Sequence, residues 1–250
     1  MSAPTWVLLR GLTREARHWG AFPATFAQAV PAGRVIALDL PGNGALHAAR
    51  SPASIAAMAM HCRDELHQSG LAPPFHVFAM SMGAMVATAW ATAAPHEIAA
   101  AVLVNTSMRP FNPFTQRLRP ANYATLLRLM LTRASALDRE RTVLAMTSHA
   151  TARDDHALLQ AWIAYRRTCP VTPANALRQL WAAARFRAPP TSPFARVLLL
   201  GSAADALVDV RCTTQLARHW SCASRLHPWA GHDLPLDDAA WVAQQVRDWL

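Results

Sequence analysis

Six short apolar runs, at residues 5–10, 34–39, 75–80, 98–105, 195–201 and 224–228, recur between longer stretches with helical punctuation. That alternation is what successive βα units produce, and it commits the chain to a mostly parallel sheet covered by helices on both faces. The Val-Leu-Leu-Leu run at 197–200 is apolar without interruption, which suits a strand buried on both sides better than a half-exposed one. With 250 residues, 52% of them hydrophobic, the chain has material for one domain with a sizeable core.

Between the runs, punctuation predicts helices. Over 51–70, Ser51 stands as cap, Pro52 at the first turn and Gly70 at the end. Another helix starts near Ser81 and stops at Pro95, a third spans 211–220, and the last, over 237–250, sets Val242, Val246 and Trp249 near one face. The stretch 75–94 carries no formal charge and is long enough to cross a bilayer. Pro73 and Pro74 precede it and its first residues are β-branched or aromatic, so it reads as a buried strand turning into a buried helix, with no transmembrane segment expected.

Residues 107–190 interrupt the alternation. They are helical in pattern, offer no good strand candidate and fall between the fourth and fifth runs, so they read as an inserted helical lid on a core made of 1–106 and 191–250. Helix candidates there follow Pro120, begin near Asp138, begin at Thr151 with Asp154 three residues on, and follow Pro173; Pro189 and Pro190 return the chain to the sheet.

Every basic side chain is Arg, and the formal charge is +9. The lid alone holds thirteen Arg against Asp138, Glu140, Asp154 and Asp155, while the rest of the chain is balanced. Such a patch either steers an anionic partner or is simply the solvated face of several helices. A nucleic-acid partner is not expected, because no recognition motif or basic–aromatic interleaving accompanies the charge. Cys62, Cys169, Cys212 and Cys222 lack metal or redox spacing and read as free thiols. The N-terminus lacks the build of a secretory signal, so a cytoplasmic location is expected.

The chemistry concentrates where the third run gives way to a helix, at Ala79-Met80-Ser81-Met82-Gly83. A serine on such a tight strand-to-helix turn holds its hydroxyl above the sheet, provided its neighbours are small. The hydroxyl needs a base and the base needs an orienting carboxylate. Asp205 follows the fifth run and His232 the sixth, both in loops at the edge of the sheet that bears Ser81. Asp209 is a rival for the orienting role, and the other histidines lack this strand-end context.

With these pieces the chain resembles the α/β-hydrolase superfamily over nearly its whole length. The likeness rests on Arg10-Gly11-Leu12 after the first run, Asp39-Leu40-Pro41-Gly42-Asn43-Gly44 after the second, the turn at Ser81, the Asp205 loop and Gly231-His232. Among members it is similar to small carboxylesterases of the pimeloyl-carrier-protein methyl ester esterase type. The resemblance implies a nucleophile, base and orienting acid at Ser81, His232 and Asp205, oxyanion donors at the backbone N–H groups of Leu12 and Met82, a sheet of about six strands, and no cofactor or metal. It implies cleavage of a small-molecule acyl ester or thioester, with the acyl group on an anionic carrier such as acyl carrier protein or coenzyme A as a further expectation, guided by Arg117, Arg119, Arg139 and Arg141. Phe111, Phe114, Leu127 and Met130 are candidates to line an acyl pocket. Arg10 stands where His is common and Ala79 where Gly is common, which keeps open a non-catalytic binding protein; carbon–carbon bond hydrolysis and acyl transfer use the same machinery.

Overall fold

The computed structural model describes residues 4–131 and 134–250, the side chains of 130, 131, 150 and 151 excepted. Strands β1 (Thr5–Leu9), β2 (Arg34–Leu38), β3 (Phe75–Met80), β4 (Ile98–Val104), β5 (Val197–Ser202) and β6 (Ala223–His227) form one sheet in the order β2-β1-β3-β4-β5-β6, with every neighbouring pair parallel. Each apolar run of the sequence is therefore a strand, within two residues at either end.

The helices are α1 (Phe22–Ala29), α2 (Ile55–Gln68), α3 (Met82–Ala93), α4 (Phe114–Arg117), α5 (Tyr123–Leu131), α6 (Ala136–Thr147), α7 (Ala150–Arg153), α8 (His156–Thr168), α9 (Pro173–Arg185), α10 (Arg211–Trp220), α11 (Leu234–Asp237) and α12 (Ala239–Trp249). Strand side chains alternate between two cores. Val7, Leu9, Val77, Ala79, Leu103 and Leu199 face one that also holds Met58, Trp90 and Leu216 from α2, α3 and α10. Trp6, Leu8, Phe78, Val102 and Leu200 face the other, with Phe22 and Phe26 of α1 and Val242 and Val246 of α12. Burial on both faces is why the strands read as continuous apolar runs rather than alternating ones. Among the described residues no helix is long and apolar enough to cross a membrane, and all four cysteines are free.

Two helix starts differ from the sequence expectation. Helix α2 begins at Ile55 under a Ser54 cap, whose hydroxyl accepts from the Ala57 amide. Ser51 is instead fully buried: its hydroxyl donates to the Pro41 carbonyl and accepts from Gln179, and its amide donates to Asn175 Oδ1 at 3.0 Å. A polar residue in reach of another element serves that element before it serves the local helix. The helix expected from Thr151 is split into α7 and α8, and α8 is capped by Asp155, which accepts from the Leu158 amide at 2.9 Å; the side chain of Thr151 lies outside the described residues.

All of α4–α9 lies between β4 and β5, and the segment is tied to the sheet by polar contacts. Gln179 of α9 accepts from the Thr13 amide at 2.8 Å and donates to Asn43 Oδ1 at 2.8 Å, while Asn43 donates to the Arg14 carbonyl at 3.0 Å. Glu140 of α6, 1% exposed, receives Arg14 at 2.7 Å and also Arg166 of α8.

Candidate functional site

Strand order reverses beside β1, since β2 lies on one side of it and β3 on the other. In open parallel sheets the crevice beyond the carboxyl ends of the strands at such a switch point is where ligands bind. The loop after β1 and the turn after β3 meet there.

Ser81 is the turn between β3 and α3, with φ 54° and ψ −119°. For a residue with a Cβ this conformation costs about 1–3 kcal/mol and persists only where the surroundings enforce it. Here the Ser81 amide donates to the Val104 carbonyl at 2.9 Å, and its carbonyl accepts from the Thr106 hydroxyl at 3.0 Å, so the end of β4 and the segment just after it hold both sides of the turn. Close approach is secured by glycine on either side. A Cβ on Gly83 would lie 2.4 Å from the Leu9 carbonyl oxygen, and one on Gly11 would lie 3.1 Å from the Ser81 Cβ.

Leu12, Ser81 and Met82 line a pocket of about 100 Å³. Met82 is the first residue of α3, where helix amides have no carbonyl partner within the helix. Neither its amide nor that of Leu12 meets an acceptor among the described residues. On each side of Leu12 the loop is anchored, by the Thr13–Gln179 bond and by Arg10. The Arg10 guanidinium forms two hydrogen bonds with the Asp233 carboxylate, at 3.0 and 2.6 Å, both side chains buried, and lies 4.6 Å over the Trp19 ring. The arginine that departs from the usual histidine thus ties the loop bearing Leu12 to the loop bearing His232.

His232 Nδ1 lies 2.7 Å from Asp205 Oδ2, and both residues are buried. The other carboxylate oxygen of Asp205 accepts from the amides of Leu207 and Val208, at 2.8 and 2.9 Å, which fixes the orientation of the carboxylate. Asp209 is engaged elsewhere: Arg211 donates to it through its amide and guanidinium and pulls its carboxyl down to about 2. Asn105, the residue after β4, has φ 45° and reaches the His232 loop. Its amide nitrogen donates to the His232 carbonyl at 2.8 Å and to Ser202 Oγ at 2.9 Å, and its oxygen accepts from the Ser202 amide at 2.8 Å. From behind, Asp237 accepts from the Gly231 amide at 2.7 Å.

The structure therefore joins His232 to Asp205 directly and sets Ser81 with Leu12 and Met82 in one pocket. Among the described residues Ser81 and His232 share no hydrogen bond; β4 and Asn105 link their loops. The residues that sequence reasoning passed over are Asp233, the partner of Arg10, together with Asn105 and Gln179. Only Asn105 had a local signal, as a polar residue closing an apolar run. No group of three or more His, Cys, Asp or Glu side chains among the described residues is gathered as a metal would require.

Of the expected pocket residues, Phe114 lines the Ser81 pocket, Phe111 packs on the core with its ring 4.6 Å from that of His219, and Leu127 is 56% exposed. The Met130 side chain lies outside the described residues. Arg117 is buried and lines the same pocket as Ser81, so it is not part of an outer basic surface; Arg119 faces Asp209 at 3.9 Å, and Arg139 donates to the carbonyls of Leu129 and Ala134.

Comparison with known proteins agrees with this architecture. A sequence model of the alpha/beta hydrolase family matches residues 6–245. None of the curated proteins compared with the chain matches it. Among solved structures it is similar to a thermophilic esterase from Thermogutta terrifontis, with 20% identity and TM-score 0.76, over 99% of this chain and 89% of that one. It is similar to the enol-lactonase from Burkholderia xenovorans LB400, with 17% identity and TM-score 0.78, over 100% and 92%. A hydrolase from Pseudomonas aeruginosa PA01 has 15% identity and TM-score 0.78, over 99% and 89%. At these identities the likeness is one of fold.

Proposed function

The chain belongs to the alpha/beta hydrolase family, and from that premise we propose that it is a serine hydrolase cleaving a carboxylic ester through an acyl-enzyme. The observation that carries this reading is the strained serine turn sharing a pocket with two residues whose backbone amides have no acceptor among the described residues, in a protein whose buried histidine is held by a buried aspartate.

Ser81 Oγ attacks the ester carbonyl while His232 Nε2 accepts its proton. The amides of Leu12 and Met82 take the oxyanion; an oxyanion-hole donor of this kind contributes about 3 kcal/mol to the transition state. His232 returns the proton to the leaving alcohol, and water, deprotonated by the same ring, then releases the acid. Asp205 orients the imidazole and stabilises its charged form. Residues 107–190 act as the lid over this crevice. Their helices contribute the far wall of the pocket through Phe114 and Leu180. The likeness to pimeloyl-carrier-protein methyl ester esterases belongs to this proposal on sequence motifs alone; a carrier-linked thioester is a substrate of the same chemistry, met from outside by exposed arginines such as Arg141.

The test is reaction with a fluorophosphonate probe together with hydrolysis of p-nitrophenyl acetate. The wild type is labelled at Ser81 and turns over. Ser81→Ala is unlabelled and loses at least a thousandfold in kcat. Full activity in that variant would overturn the assignment, and a wild type inert in both assays would favour a binding protein on the same fold.

A further inference from the structure

Among the described residues, buried arginines come with carboxylates, with one exception. Arg10 has Asp233 and Arg14 has Glu140. Arg117, 8% exposed, has no carboxylate partner among the described residues. Two of the five donors of its guanidinium reach the carbonyls of Ala183 and Ala184, at 2.6 and 3.2 Å, and its Nε is buried without any acceptor. Those carbonyls end α9, whose negative dipole end offsets part of the charge. Part is not enough, since a cation removed from water needs a full counter-charge or loses solvation it cannot recover. Burial holds the Arg117 guanidinium below its usual pKa, and Arg109 adds to the effect.

The position of this charge gives it meaning. Arg117 lines the pocket of Ser81, whose other walls are largely apolar, from Leu12 and Met85 to Leu180 and Val208, with the hydroxyl-bearing Ser107 as the remaining polar side chain. An apolar pocket lined by the nucleophile and by an arginine that has no carboxylate partner among the described residues suits an acyl chain that ends in an anion. The pocket holds about 100 Å³, room for a short chain.

We propose that the substrate of this site is a half-ester of a short dicarboxylic acid, whose free carboxylate is bound by Arg117 while Ser81 attacks the esterified end. The inference rests on the ester-hydrolase reading for its chemistry, but the binding of the carboxylate stands apart from turnover. Guanidinium and carboxylate meet as a charge-assisted pair in a water-poor pocket, where such pairs discriminate most strongly against a neutral isostere.

The experiment compares monomethyl succinate with its neutral isostere methyl succinamate, and succinate with succinamide as protectants of Ser81 against a fluorophosphonate. The wild type is expected to favour the anionic ester at least tenfold in kcat/KM, and succinate, not succinamide, slows labelling. In Arg117→Gln that ratio falls at least tenfold and protection by succinate is lost, while Arg117→Lys keeps part of both. A role confined to ending α9 would leave the ratio unmoved. If Arg117→Gln does not fold, the Lys variant and the wild-type protection decide. Equal protection by the two ligands, or preference for the neutral ester, overturns the proposal even where hydrolysis is intact. Should Ser81 take no label and neither ester be cleaved, the hydrolase reading is the one that fails, and calorimetry of succinate binding to wild type and Arg117→Gln then decides this inference alone: binding lost with the guanidinium upholds it, no binding sinks it.

Discussion

At the residue scale, the site is held by pairs that lie far apart in sequence and leave each other no alternative partner. Arg10 and Asp233 are separated by 223 positions, both buried, and joined by two hydrogen bonds. A buried ion pair contributes little net stability over a well-packed apolar pair, yet removing one member strands the other charge at a cost of about 3–5 kcal/mol. Arg10→Met is therefore expected to lower the unfolding free energy by about 3 kcal/mol in urea denaturation, and Arg10→Met/Asp233→Leu to recover most of that loss. The double variant should nevertheless stay slow, because the tether between the Leu12 loop and the His232 loop is gone: kcat falls while KM for a neutral ester changes little. Recovery of stability together with full kcat would show that the pair plays no part in positioning. This pair was unreadable in the sequence for a physical reason. Local patterns report what a residue does to its own backbone, whereas an ion pair across 223 residues exists only once the sheet has brought two loops together. The strand-end positions of Ser81, Asp205 and His232 were legible because they are local facts, each a polar residue just past an apolar run.

At the scale of elements, legibility follows burial. The strands are apolar on both faces and stood out; α1 did not, since Ala21 at its N-cap offers no side-chain acceptor and few of its residues are buried. Ser51 was misjudged as a cap because the competing claim on it comes from α9, 124 residues away. A similar knot joins α2, α3 and the approach to β4. Glu97 receives Trp90 Nε1 at 2.6 Å and the Arg63 guanidinium at 2.8 and 2.6 Å. Chiefly through the Arg63 hydrogen bonds, its carboxyl is pulled from 4.5 down to about 2. A carboxyl with a lowered folded-state pKa stabilises the fold above its unfolded value and gives that up as pH falls. The contribution is thus complete above about pH 5 and lost progressively toward pH 2. Glu97→Gln is expected to cost about 2 kcal/mol at pH 7 and to flatten the decline of the urea midpoint between pH 5 and 2. A midpoint that falls as steeply in the variant as in the wild type would assign the acid sensitivity to other groups.

Across the whole molecule, the question is whether residues 107–190 and the sheet behave as one body. One feature that joins them is Glu140, 1% exposed on α6, which receives Arg14 from the loop after β1 and Arg166 from α8. Burial opposes its ionisation most, but the two guanidiniums more than offset this and hold the carboxyl below its ordinary value. Arg14 also lies 4.4 Å over the Trp162 ring of α8, against which His18 packs edge-on at 5.2 Å. The same loop that presents Leu12 to the pocket thus runs on into the contact with α6 and α8, so loosening one end is felt at the other. Replacing Glu140 by Gln leaves the buried Arg14 and the partly buried Arg166 around a neutral amide, and the expected loss is about 3 kcal/mol. If the contact couples the two parts, the loss appears in a single transition: far-UV dichroism and tryptophan fluorescence shift together, and hydrolysis is lost over the same urea range. If the helices between β4 and β5 were instead a separate body resting on the sheet, Glu140→Gln would split the curve, with fluorescence from Trp162 and Trp181 changing first. The sign of the pH effect sharpens the test. Since the folded-state carboxyl is lowered, wild-type stability falls as pH drops through the acid range, and the Gln variant, already without the charge, loses less over the same interval.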